Sequence, residues 1–270
     1  MGYLKAGVLA ALVAVCALVF GVASAKAVES PAAVTVTKSV VGPFDATTHT
    51  FGTAPAYFKA GDTVTYKYVV TANDRFVSVN VTDSNCSPVQ PVLGLGANSA
   101  HNIGDTGYYD TSYHNTGVGD DVLNGYAGEA WQFYCTKVLP AVNPSNDIPN
   151  TATVDAAIYT TPTIHRTDTD SYKLEAMVLR KQVVLFWDYI HWVTAPGTGD
   201  VAFDVTLSKG GTPVGGTEHV SANTPLGLYL TEGGPWVVTE GTPPTGYTVA
   251  RGGWTIGTLP AASGYLDNTF

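Results

Sequence analysis

Basic residues are scarce: 13 Lys and Arg stand against 22 Asp and Glu, a formal net charge of −9 over 270 residues. Nucleic acid and anionic membrane surfaces both require a basic footprint, so neither is an expected partner. Catalytic signatures are missing as well. The chain has no Gly-x-Ser-x-Gly, no Walker loop and no dinucleotide fingerprint. Its six histidines, His49, His101, His114, His165, His191 and His219, show no metal-ligand spacing, and His191 between Ile190 and Trp192 reads as packing. No nucleophile–base pair is visible, so a hydrolase is set aside. Neither an enzyme nor a cofactor or metal is expected. Beyond the first 25 residues no long helix-period segment appears. What remains is rich in Gly, Thr and Val, the composition of an all-β extracellular protein.

The amino terminus explains the compartment. Residues 1–25 carry a single charge, Lys5, then an apolar run from Ala6 to Val22, then Ala23-Ser24-Ala25. This is the layout of a cleaved secretory signal peptide, with an uncleaved transmembrane anchor as the alternative and residues 26–33 as a linker. Cys16 leaves with the signal. Cys86 and Cys135 remain, and an even count in an oxidising compartment reads as a disulfide. The chain-entropy model gives such a loop about 4 kcal/mol, an upper-end figure.

Alternation organises the rest. Val64, Tyr66, Tyr68 and Val70 alternate with Thr63, Thr65, Lys67 and Thr71, the period of a half-buried strand. After a short polar break, Val77, Val79 and Val81 share a second strand face, and Asp83 continues their inward phase. Lys38 is likewise in phase with Val34, Val36 and Val40, and Asn150 with Ala152 and Val154. Trp131, Phe133 and Cys135 form another inward face. The stretch from Ser87 to Gly125 has little periodicity and holds Tyr108, Tyr109 and Tyr113, with Tyr126 just beyond it. Long loops on a rigid scaffold often bind ligands, so this stretch is a candidate glycan or protein site. Aromatics that pack the loop onto its own sandwich are the alternative.

Lys38, Asp83 and Asn150 pointing into one core is chemically pointed. A lone buried charge costs several kcal/mol unless it is paired. Burial lowers a lysine pKa and raises that of an aspartate. A neutral amine beside a carboxamide is a nucleophile facing an electrophile, with Asp83 able to shuttle the proton. Two outcomes stay open here: a Lys38–Asn150 isopeptide bond, or a buried Lys–Asp pair with Asn150 hydrogen-bonded.

The segments GDTVTYKYVVT, VNVTDSNCSPV, GEAWQFYC, NTATV and DTDSYKLEAMVL, in that order, resemble the conserved-repeat β-sandwich domains of prokaryotic surface proteins. The resemblance covers about 145 residues and implies a stalk-like domain, often stapled by two such cysteines and without catalysis. Related domains form isopeptide bonds with the residue types seen at Lys38, Asp83 and Asn150. Relatives often carry a calcium-like acidic loop before the GEAW position. Here that loop reads NTGVGDDVLNGYAGE, and Asp120 and Asp121 alone do not make the spaced oxygen ladder calcium needs.

Residues 180–270 look like a second domain. VAFDVTLSKGGTPVGG, WVVTEGTPPTGYTV and the terminal DNTF resemble Cna B-type repeats, also called SpaA-like or prealbumin-like. Many of these carry a Lys–Asn amide promoted by a buried Glu. The matching positions here are Leu185, Asn268 and Glu240, so the lysine is absent. Lys181 lies four residues from Leu185, about 13 Å along a strand, too far to substitute. No cross-link is expected there, and Glu240 is expected to be desolvated with its pKa raised. Residues 209–216 read as a turn, and 227–230 as part of the small second sandwich.

The expected architecture is therefore two tandem immunoglobulin-like or prealbumin-like β-sandwiches, 34–179 and 180–270, after a signal peptide. The expected role is a secreted or cell-surface structural or adhesive protein: a stalk, coat or filament component. Its partners would be other surface proteins, copies of itself or an extracellular glycan, with no membrane contact beyond the signal peptide. The alternative role is an extracellular glycan- or protein-binding module using the stretch from Ser87 to Gly125.

Overall fold

Eighteen strands follow one another along the described part of the chain. In order they are β1 (Val34–Val41), β2 (Phe44–Asp45), β3 (Thr50–Phe51), β4 (Tyr57–Lys59), β5 (Thr63–Ala72), β6 (Arg75–Asp83), β7 (Gln90–Pro91), β8 (Leu123–Asn124) and β9 (Ala130–Val138). Then come β10 (Ile148–Ile158), β11 (His165–Leu179), β12 (Val184–Phe186), β13 (Trp192–Thr194), β14 (Phe203–Lys209), β15 (Thr212–Val220), β16 (Leu226–Leu230), β17 (Trp236–Glu240) and β18 (Trp254–Ile256). This computed structural model describes residues 31–107, 118–142, 147–159, 163–179, 201–221, 223–231, 235–242 and 244–245, and the backbone of 184–186, 192–194 and 254–256. The signal-peptide reading therefore falls outside the described residues. No described helix is long and apolar enough to cross a membrane. The all-β expectation holds.

Two sheets make the N-terminal sandwich, one ordered β1-β5-β9-β7 and the other β4-β16-β11-β10-β6-β8. The alternating residues of β5, Val64, Tyr66, Tyr68 and Val70, are all fully buried. From β9 come Trp131, Phe133 and Cys135, and from β10 Ala152, Val154 and Ala156, all buried. Period-2 patterning thus places the core as the sequence suggests.

In β6 the phase slips. Both Phe76 and Val81 are buried, five residues apart, which a regular strand cannot arrange. The register against β10 breaks between Asp155 and Ala157, and Ser78 takes a φ of 54°. A bulge re-aims the strand, so Phe76 enters the core while Val77 and Val79 are only half-buried.

The boundary expected at 179/180 is crossed by a sheet. β16 pairs with β11 (Met177↔Leu228) on one side and with β4 (Tyr229↔Phe58) on the other. Leu228, Tyr229 and Leu230 are consecutive and fully buried, so both faces of this strand are covered. One apolar cluster joins Met177, Leu228 and Leu230 to Val205, Leu207, Val220, Trp236 and Val238 of the C-terminal sheet. A continuous apolar run fits an interior strand better than the half-buried strand of a small separate sandwich. The C-terminal sheet is β15-β14-β17-β18. The turn expected over 209–216 is shorter than that: Gly210 and Gly211, at φ 55° and 83°, make it, and β15 begins at Thr212.

Candidate functional site

Three strands bring the polar core residues together. Lys38 of β1 is held in register against Tyr68 of β5. Asp83 ends β6, opposite Ala152 of β10, two residues beyond Asn150. Lys38 Nζ lies 2.7 Å from Asp83 Oδ2, and neither side chain is exposed at all. Asn150 is buried too, at 1% exposure.

Asp83 is saturated. Oδ2 also accepts Tyr68 Oη at 2.6 Å, and Oδ1 accepts the backbone N–H groups of Asn85 and Cys86, each at 2.8 Å. A carboxylate offers about four acceptor positions, and all are used. The Oδ1 bonds form the side-chain-to-backbone turn typical of aspartate at a strand end. They also fix Cys86, which is joined to Cys135 of β9 by a disulfide with Cα atoms 6.0 Å apart. The staple therefore links the two sheets directly beside the buried pair.

Tyrosines enclose the amine. Lys38 Nζ sits 4.6 Å from the Tyr66 ring centroid and 5.7 Å from that of Tyr68. Desolvation pulls the Lys38 amine below its ordinary value, opposed by the hydrogen bond and charge of Asp83 and then by the charge of Asp170. Burial pushes the Tyr66 hydroxyl up to about 12, with neighbouring Asn150 pulling the other way. The Tyr68 hydroxyl is raised further, by burial and then by its bond to Asp83. Asn150 Oδ1 accepts Ser84 Oγ at 3.4 Å. Neither Asn150 Nδ2 nor Tyr66 Oη meets a well-formed hydrogen-bond partner among the described residues. The amide nitrogen, the leaving group in any attack on the side-chain carbonyl, neighbours the Tyr66 hydroxyl without a well-formed bond to it.

Only part of the second set lies among the described residues. Leu185 lies in β12, which pairs with β13, and Glu240 ends β17 in the C-terminal sheet. Asn268 lies outside the described residues. Glu240 is half-buried rather than enclosed, because its strand stops there and Gly241 N–H turns onto Asp204 O at 2.8 Å.

Of the tyrosines in the candidate binding stretch, Tyr108, Tyr109 and Tyr113 lie outside the described residues. Tyr126 is 57% exposed in a 3-10 turn over Gly125–Ala127. The described flanks of the stretch are built onto the sandwich. Asn102 Nδ2 donates to Gln132 O at 2.7 Å and Asn102 Oδ1 accepts Gln132 N–H at 2.8 Å, imitating a strand pair with β9. Glu129, of the GEAW segment, is buried and accepts Thr106 N–H, Thr106 Oγ1 and Asn124 N–H at 2.7–3.0 Å. Burial raises its pKa, against the pull of those three bonds.

One grouping escaped the spacing argument. His101, Asp105 and Asp121 bring a ring nitrogen and two carboxylate oxygens within 4.8 Å of one another. The sequence gives little signal for it, because the three residues sit on two turns within a long aperiodic stretch.

No protein-family model and no curated protein matches the chain. Among solved structures it is similar to the T6 backbone pilin of serotype M6 Streptococcus pyogenes, at 13% identity and a TM-score of 0.34. That match covers 83% of this chain and 52% of the pilin, so the chain spans about half its length. It is similar to the fimbrial adhesin FimA of Actinomyces at 12% identity and a TM-score of 0.39, over 83% of this chain and 96% of the adhesin. It is also similar to the pilus 2b backbone protein of group B streptococcus, at 15% identity and a TM-score of 0.34, over 83% and 90% of the two chains. No activity, ligand or partner follows from similarity at this level.

Proposed function

We propose that the chain is a secreted or cell-surface structural or adhesive protein, a stalk, coat or filament component. It acts through self-association or contact with other surface proteins, not through catalysis. Within it, Lys38 and Asn150 close an isopeptide bond that ties the first strand of the sandwich to a late one. The observation behind this reading is the fully enclosed Lys38–Asp83 pair beside a buried Asn150 whose amide nitrogen lacks a well-formed partner. Burial favours the neutral amine, and Asp83 is placed to take its proton. Lys38 Nζ then attacks Asn150 Cγ. The Cγ–Nδ2 bond breaks, and the proton passes through Asp83 to the departing ammonia. A bond of this kind suits a protein loaded at its ends.

Intact-mass measurement of the reduced full chain tests the staple: the mass should be lower by one ammonia, and unchanged in Lys38→Met. A wild-type mass with no loss of ammonia would remove the covalent step. Antibody-labelled electron microscopy of the producing cells tests the role, with labelled filaments or a coat expected, and label confined to the cell interior contradicting it.

A further inference from the structure

We propose that His101, Asp105 and Asp121 form a binding site for a divalent transition-metal ion of the zinc class. His101 Nδ1 lies 2.9 Å from Asp121 Oδ1 and 3.8 Å from Asp105 Oδ2. Two ligand atoms on one tetrahedral ion with bonds of about 2.0–2.1 Å stand about 3.4 Å apart, so these separations bracket that spacing. The shorter one is a direct His101–Asp121 hydrogen bond that an ion would replace, and the longer one is beyond hydrogen-bond reach.

Asp105 is the unusual member, a carboxylate with no exposure. Its Oδ1 accepts the N–H groups of Gly107 and Asp120, and its Oδ2 that of Asp121. A lone pair of Oδ2 remains on the side of His101. Backbone donors thus orient this oxygen as outer partners orient metal-ligating carboxylates. The approach of the second turn is also specific. A Cβ on Gly119 would stand 2.5 Å from His101 Cβ and 2.6 Å from Asp105 Oδ2, so only glycine lets the chain come so near.

Both ligand-bearing turns are fixed by bonds that do not involve the ligand atoms. Asn102 grips Gln132 of β9, and Ile103 N–H donates to Val92 O at 2.8 Å. On the other side Gly119 N–H donates to Asn98 Oδ1 at 2.8 Å, and Leu123 pairs with Phe76 of β6. The convergence is therefore preorganised. One imidazole nitrogen with two carboxylates suits zinc-class ions, with remaining positions left to water, whereas calcium takes six to eight oxygens. Asp121, with its side chain 75% exposed, leaves the site open to entering ions.

The test uses the disulfide-intact full chain, stripped with chelator and titrated with zinc ion by calorimetry and by equilibrium dialysis with metal analysis. One equivalent should bind, with calcium ion in tenfold excess failing to displace it. His101→Ala and Asp121→Asn should each abolish that equivalent while circular dichroism stays that of the wild type. His165→Ala and His219→Ala, which remove the surface histidines paired with Asp155 and Asp204, should retain it. No binding, binding that survives His101→Ala, loss in the surface-histidine variants, or preference for calcium would each overturn the proposal.

Discussion

Asp170 Oδ2 accepts the backbone N–H of Lys38 at 2.7 Å, across 132 residues of chain. Two positions earlier Asp168 Oδ2 does the same for Val36 at 2.9 Å. β1 is the edge of its sheet, and an edge exposes unpaired N–H groups to any passing strand. Here two carboxylates from the opposite sheet take those donors and close the seam. They also set the register that delivers Lys38 to Asp83.

Removing either carboxylate should loosen that seam. Asp168→Ala and Asp170→Ala are each expected to cost about 1.5–3 kcal/mol, the range for hydrogen bonds to a charged acceptor. Urea unfolding reads the cost. Amide exchange should quicken at Val36 in the first variant and at Lys38 in the second. Unchanged exchange at both would mean the seam is held by packing alone.

Asp83→Ala leaves a buried amine without its partner. The loss should be about 3–5 kcal/mol, and the reduced variant should keep the full mass of its own sequence, with no ammonia lost. The double variant Lys38→Met with Asp83→Leu also lacks the covalent bond, yet it should be more stable than Asp83→Ala, because no charge is stranded. If the single variant proves the more stable of the two, desolvation is not what governs this site.

Alkaline pH should undo the N-terminal core through its tyrosines. Tyr66 is held up to about 12, with Tyr68 also raised, against an ordinary 10.0. A group with a raised folded pKa contributes stability that is complete below the unfolded value and lost as pH climbs through the folded one. The loss attributable to Tyr66 therefore falls between about 10 and 12. A free Lys38 amine works in the opposite sense: its burial penalty eases as pH rises toward 10.5. Phenolate absorbance and circular dichroism should move together in this window. Ionisation of these tyrosines near 10 with the sheets intact would contradict it.

Leu228→Ala should be felt on both sides of β16. Emptying a fully buried leucine costs about 2–5 kcal/mol. Because Leu228 shares a cluster with Met177 of β11 and Val205 and Trp236 of the C-terminal sheet, calorimetry should show both regions melting earlier together. A shift confined to a separate C-terminal transition would show that the shared strand does not couple them.

The polar core was legible because alternation is local. Lys38, Asp83 and Asn150 each keep the phase of their apolar neighbours, so their burial could be read one strand at a time. Val77 and Val79 could not be placed that way, since the bulge at Ser78 is a backbone event with no compositional mark. β16 was visible as a strand, but its partners β4 and β11 depend on pairing between distant segments. Gly210-Gly211 gave the turn, although its extent was overread into β15. The His101, Asp105 and Asp121 grouping was invisible for a similar reason. Its residues come from two turns with no fixed spacing, and only the anchoring to β9 and β6 brings them face to face.

The position of β16 also bears on the order in which the molecule can be finished. Cys86 and Cys135 are only 49 residues apart and can meet as soon as β9 is available. Phe58, by contrast, has Tyr229 as its strand partner. During amino-to-carboxyl synthesis, β4 must wait for nearly the whole described chain before its neighbour arrives. Until then the flank of β11 and the apolar side of β4 stand open. A newly made chain would therefore pass through a sticky, half-closed stage whose duration is set by how fast the carboxyl-terminal third follows. Oxidation comes early in that sequence, and sealing of the larger sheet comes last.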